Sequence, residues 1–173
     1  MLSTFLAIAL LLQRHPFGDL KGNVTIAHGL ATYTDQARQF SIAVSKDWWL
    51  RDAWIHDSGP PWQGEPMVGG GGGVTTKDTW DPQFIVFKMK LAPLESRLKP
   101  WQPHEGRGPQ FLASGKTGRI PYIAWWELGW TYVAGYVNSR DATWRIEIHI
   151  PKATWKKQLP LAERIIASFK FLK

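Results

Sequence analysis

Glu127 and Glu147 each fall on a run that reads as a β-strand, and two carboxylates facing each other across a sheet are the means of acid–base hydrolysis. One would protonate a leaving group and the other would activate water, with a loop histidine assisting. The five histidines, His15, His28, His56, His104 and His149, are far apart and form no His-x-x-x-His pair, so no helical zinc signature exists. His56-Asp57 and His104-Glu105 are adjacent donors, but pairs of this kind in loops are ordinarily solvated. No metal is assigned. Glu147 alternates with Arg145 and His149 on one polar strand face, a pattern that a solvated cross-strand ion pair explains without catalysis.

The remaining chemical signatures are incomplete. Gly115-Lys116-Thr117 has the ending of a phosphate-binding loop, but position 110, where that motif needs glycine, is Gln. Ser58 and Ser114 lie near glycines without forming Gly-x-Ser-x-Gly, so a serine hydrolase has no nucleophile elbow. The absence of cysteine excludes disulfides, thiolate nucleophiles and iron–sulfur ligation. Asn23-Val24-Thr25 matches a glycosylation acceptor, relevant only to a eukaryotic secretory route. No catalytic residue and no cofactor are assigned.

Tryptophan is the compositional anomaly, with eleven in 173 residues. Trp62, Trp80 and Trp101 lie in Pro/Gly-rich stretches that cannot bury all three indoles and satisfy each N–H. Exposed tryptophan beside arginine or lysine is the composition of an interaction surface, so Trp62, Trp80 and Trp101 with Arg97, Lys99 and Arg107 form the candidate binding site. Charge agrees with this. Six Lys/Arg stand against eight Asp/Glu through residue 83, and fifteen against six from residue 84 on. The basic half favours an acidic partner, a protein or a small ligand, while the scatter of its charges argues against a dedicated nucleic-acid surface.

The elements that must position these residues belong to one domain, 21–173, of a size that supports a core without staples. Residues 1–20 form a signal-like leader: Leu2 to Leu12 is apolar apart from Ser3 and Thr4, too short to span a bilayer and of the length of a secretory apolar region. That implies export, to a periplasm or the cell exterior, without a transmembrane span. Strands are expected over Val24–Ile26, Ala31–Asp35, Phe40–Ser45, Phe84–Leu91, Ile120–Leu128, Thr131–Asn138 and Thr143–Ile150, with the last three meandering. Trp144, Ile146, Ile148 and Ile150 supply the cleanest alternation.

Lys46 to Trp54 reads as a turn or short helix whose tryptophans cap the core. A Gly/Pro-rich loop is expected at 56–83, because consecutive glycines lose the most backbone entropy on ordering. Leu94–Lys99 reads as one helical turn. A terminal helix is expected from Leu159 to Ser168, with Pro160 in its first turn and Leu161, Ile165 and Phe169 on one stripe against the sheet.

Three stretches carry a family resemblance: Phe40-Ser41-Ile42-Ala43-Val44-Ser45-Lys46-Asp47-Trp48, the strand Trp144 to Pro151, and Ile165-Ile166-Ala167-Ser168-Phe169-Lys170-Phe171. Their order resembles the PsbP-like superfamily, which includes the photosystem II extrinsic subunit, DcrB-like periplasmic proteins and a Ran-binding import factor. The glycine run and Asp47 before the tryptophan depart from its pattern. The resemblance implies an α+β fold, an antiparallel sheet flanked by helices in an α/β/α sandwich, used mainly as a binding or accessory module. It transfers no catalytic residue. The expected function is therefore a non-catalytic binding or accessory protein of the cell envelope acting through loop tryptophans and a basic surface, with a hydrolase using the strand carboxylates as the alternative.

Overall fold

The computed structural model describes residues 20–37, 39–52, 64–72, 83–99, 109–127 and 129–172. The leader at 1–19 lies outside them. In chain order the strands are β1 (Asn23–Ala27), β2 (Leu30–Thr34), β3 (Phe40–Ser45), β4 (Trp49–Asp52), β5 (Glu65–Gly71) and β6 (Gln83–Lys90). A single helical turn, α1 (Leu94–Arg97), precedes β7 (Gln110–Thr117), β8 (Ile120–Glu127), β9 (Trp130–Asn138) and β10 (Ala142–Pro151). A 3-10 turn then leads into α2 (Trp155–Ser168) and β11 (Lys170–Phe171). Two antiparallel sheets result, one ordered β1-β2-β3-β11 and the other β4-β5-β6-β10-β9-β8-β7. The expected meander is β8-β9-β10.

Alternation along the strands of the larger sheet places two sets of side chains on opposite faces. Phe84, Val86, Val133, Trp144, Ile146, Ile148 and Ile150 join the main core, against the smaller sheet and α2. Phe87, Met89, Ile123, Ala134 and Tyr136 form a second cluster on the other face, against Leu94 and Leu98 of the α1 region. The larger sheet is thus covered on both sides, the antiparallel α+β arrangement expected from the resemblance. Ile165, Ile166 and Ala162 of α2 are buried, and Phe169 stacks on Phe40 at 5.4 Å and lies 5.9 Å from Trp144. The Ser168 hydroxyl accepts from the Ala43 N–H at 3.0 Å, fixing the end of the helix to β3.

Several expectations need correction. The stretch 56–83 is not a loop throughout: Glu65–Gly71 is a strand whose glycines pair with β4 on one side and β6 on the other. The reason is close approach. A Cβ on Gly70 would overlap the Trp49 carbonyl and the Phe84 ring, so missing side chains permit the packing that their backbone entropy opposes. The turn or helix expected at Lys46–Trp54 is a turn followed by β4, whose partner was concealed in the glycine run.

β7 was missed because it is a half-exposed edge strand with a register shift between Phe111 and Ala113, which erases its alternation. Helix α2 starts before Leu159, so Pro160 lies beyond its first turn. Pro160 and Lys156 are both exposed, so water can satisfy the carbonyl left without its N–H donor.

Candidate functional site

The face of the larger sheet that carries α1 holds a cleft of about 560 Å³. Register builds its floor. His149 of β10 lies opposite Tyr132 of β9, which lies opposite Trp125 of β8, which in turn lies opposite Phe111 of β7. Trp125 stacks on Tyr132 at 5.2 Å with 10° between the planes, and the Tyr132 ring meets His149 edge-on at 4.7 Å. Four residues along, roughly 13 Å at the usual strand rise, Tyr136 lies opposite Arg145, which lies opposite Phe87.

Between these rows is Glu147, whose carboxylate has both oxygens engaged. Oε1 lies 2.7 Å from His149 Nε2 and Oε2 lies 3.3 Å from Arg145 Nε. The Arg145 and Glu147 side chains are each 8% exposed, so the solvated ion pair expected from alternation is a buried one. What desolvates it is the second apolar cluster with α1 over this face. Burial pushes the Glu147 carboxyl up, but the Arg145 charge and the His149 hydrogen bond outweigh it and hold the group below its ordinary value. Burial, with the charges of Glu147 and Glu127, raises the Tyr132 phenol.

Arg145 also lies over the Phe87 ring, 4.2 Å from its centroid. Its Nη2 is buried without a hydrogen bond, as is Nε of Arg97, and the Arg145 Nε meets Glu147 as an ion pair without forming one. Arg97 Nη2 donates to the Lys90 carbonyl at 3.4 Å, and Lys99 completes a cationic end beside α1. Glu127 lines the opposite end. It is two strands and four residues from Glu147, roughly 16 Å between Cα atoms, with Tyr132 on the strand between them. Among the described residues, no group of three His, Cys, Asp or Glu side chains could hold a metal ion, and no helix is long and apolar enough to cross a membrane. A second, more open hollow of about 420 Å³, bordered by Lys21, Asp35 and Glu65, lacks a comparable aromatic floor.

No protein-family model matches the sequence, and no curated protein matches it significantly. Among solved structures it is similar to cyanobacterial PsbP (CyanoP) from Synechocystis sp. PCC 6803, with a TM-score of 0.54 at 10% identity over 85% of this chain and 95% of that one. The chain has a PsbP-like fold. It is also similar, at a TM-score of 0.47 and 10% identity over 91% of this chain and 88% of the other, to LpqN of Mycobacterium tuberculosis, a protein involved in cell envelope biogenesis.

Within this PsbP-like frame, Arg97 and Lys99 of the expected binding set both line the cleft. Trp62, Trp80, Trp101 and Arg107 lie outside the described residues, as do His56 and His104. The structure brings Glu127, Glu147 and His149 to the same cleft, where His149 is a strand residue rather than a loop histidine. Sequence reading missed Trp125, Tyr132 and Phe111 as a set. Trp125 and Trp126 do face opposite sides, as alternation requires, and Lys152 covers the Trp126 ring at 3.5 Å. The available signal was aromatic residues at positions of one parity on successive strands; placing Phe111 beside them needs the register of β7, which the pattern did not show.

Proposed function

We propose that the chain is a non-catalytic binding or accessory protein of the cell envelope, with the cleft above β8, β9 and β10 as its binding site. One observation carries this reading: a concave aromatic floor and three cationic side chains converge on a single hollow of ligand-binding size. The fold supports it, since the PsbP-like resemblance implies an accessory module, and the leader supports export. Arg97 and Lys99 of the expected binding set line this cleft.

The test is affinity capture from native envelope extract with the wild-type chain and with Trp125→Ala. A component held by the wild type and lost from the variant supports the reading; equal retention by both overturns it.

The hydrolase alternative is favoured by the 2.7 Å contact between His149 and Glu147 in the same cleft. In that reading Glu147 only orients His149, because the carboxylate is buried and held ionised. Hydrolysis of envelope esters or glycosides by the wild type, abolished in His149→Ala, would favour it over binding alone.

A further inference from the structure

Resting on the cleft as the binding site, we infer that its ligand is an elongated acid, with a planar apolar group carried against Trp125 and an oxyanion head held at Arg97 and Lys99. Stacking on Tyr132 occupies one face of the Trp125 ring. The other face is turned toward β7, where the register partner is Phe111, an aromatic side chain 47% exposed. Two aromatic residues on neighbouring strands, one with a covered face and one standing in solvent, make a slot for a flat ring.

The opposite end of the cleft has more donors than its acceptors engage. Arg145 and Arg97 hold buried N–H groups with no acceptor, and buried donors in this state are uncommon in folded proteins. The Glu147 carboxylate reaches Arg145 only as an ion-pair contact, 3.3 Å from Nε, and leaves these N–H groups without a hydrogen bond. Lys99 adds an exposed cation at the same end. An oxyanion contributes acceptors to these donors and a counter-charge to Arg97 and Lys99, and the planar guanidinium fork matches a carboxylate or a phosphate.

Trp125 is two strands and four residues from Arg145, roughly 16 Å between Cα atoms. Ring and head must therefore be joined by a short chain. Glu127 at the aromatic end opposes the reverse orientation by repelling an anion placed there.

Three probes test this by fluorescence anisotropy: 4-(1-pyrenyl)butanoate, 4-(1-pyrenyl)butan-1-ol, and the phosphate monoester of that alcohol. The expected result is that at least one acid binds the wild type about 10-fold more tightly than the alcohol, a factor typical of one charge-assisted contact. Which acid is tighter identifies the head. Arg97→Gln with Lys99→Gln should abolish the preference and leave the alcohol affinity unchanged, while Trp125→Ala should weaken all three probes. Equal binding of acids and alcohol by the wild type, or a preference that survives Arg97→Gln with Lys99→Gln, overturns the ligand assignment while the cleft stands. Failure of every probe to bind, or indifference of all three to Trp125→Ala, overturns the cleft reading as well. Unchanged melting midpoints in the variants confirm that folding is not the cause.

Discussion

Glu147→Gln should destabilise the domain more than any other isosteric change in the cleft. The variant keeps the side-chain shape and removes the charge that compensates Arg145, whose side chain is 8% exposed and whose Nη2 already lacks an acceptor. Removing one partner of a buried ion pair costs about 3–5 kcal/mol, and the lower end applies because glutamine can still bond His149. Net stability of a domain is about 5–15 kcal/mol, so this is a large share of it.

In urea, where the slope is about 1–3 kcal/mol per molar, a loss of about 3 kcal/mol moves the midpoint by roughly 1–3 M. Adding Arg145→Met should recover most of the loss, since no uncompensated charge then remains. The pH dependence has a definite sign. The folded-state pKa of Glu147 is lowered, so its contribution is present above the ordinary value of 4.5 and disappears as pH falls through the folded value. The wild type should therefore lose its advantage over Glu147→Gln in acid. A variant within about 1 kcal/mol of wild type at pH 7, with the gap unchanged in acid, would refute the buried-pair argument and restore a solvated pair.

Phe169→Ala should lower stability by about 3–5 kcal/mol, since it opens a cavity among Phe40, Trp144 and Phe171; a melting shift within error would show that the end of α2 is not docked. Gly70→Ala should cost about 1–3 kcal/mol through overlap with the Trp49 carbonyl and Phe84, and a neutral result in chemical denaturation would place the glycine strand elsewhere. The Tyr122 phenol, buried and hydrogen-bonded to Glu163 Oε1 at 2.7 Å, is pushed up to about 12. Its contribution is full below 10 and is lost as pH rises through about 12, so Glu163→Gln should bring one phenol to a lower midpoint in an ultraviolet titration, and an unchanged titration would dismiss the contact. N-terminal sequencing of the native protein should find a start beyond Leu12; a start at Met1 or Leu2 would dismiss export by a cleaved leader.

Elements with their own periodicity were legible in the letters. Phe40–Ser45 has the bounds that alternation implies, and the apolar parity of β10 matches its buried face, because a half-buried strand must put every second residue inside. The stripe of α2 was equally readable from its Ile165 and Phe169 spacing. Arg97 and Lys99 were named from type and position, as cations beside the Pro/Gly-rich sequence around Trp101, and both line the cleft.

What the letters could not decide was partnership. The glycine part of β5 has no side-chain signal; it is ordered by β4 and β6 on either side. The polar face of β10 reads as solvated in isolation, since alternation reports which residues share a face and not what covers it. Only tertiary packing brought Phe87, Met89, Tyr136 and α1 over that face, turning a surface ion pair into a buried one and a row of unrelated aromatics into the floor of a cleft. Register between distant strands decides both. It is fixed by long-range burial, a property of the assembled sheet that no local window of sequence contains.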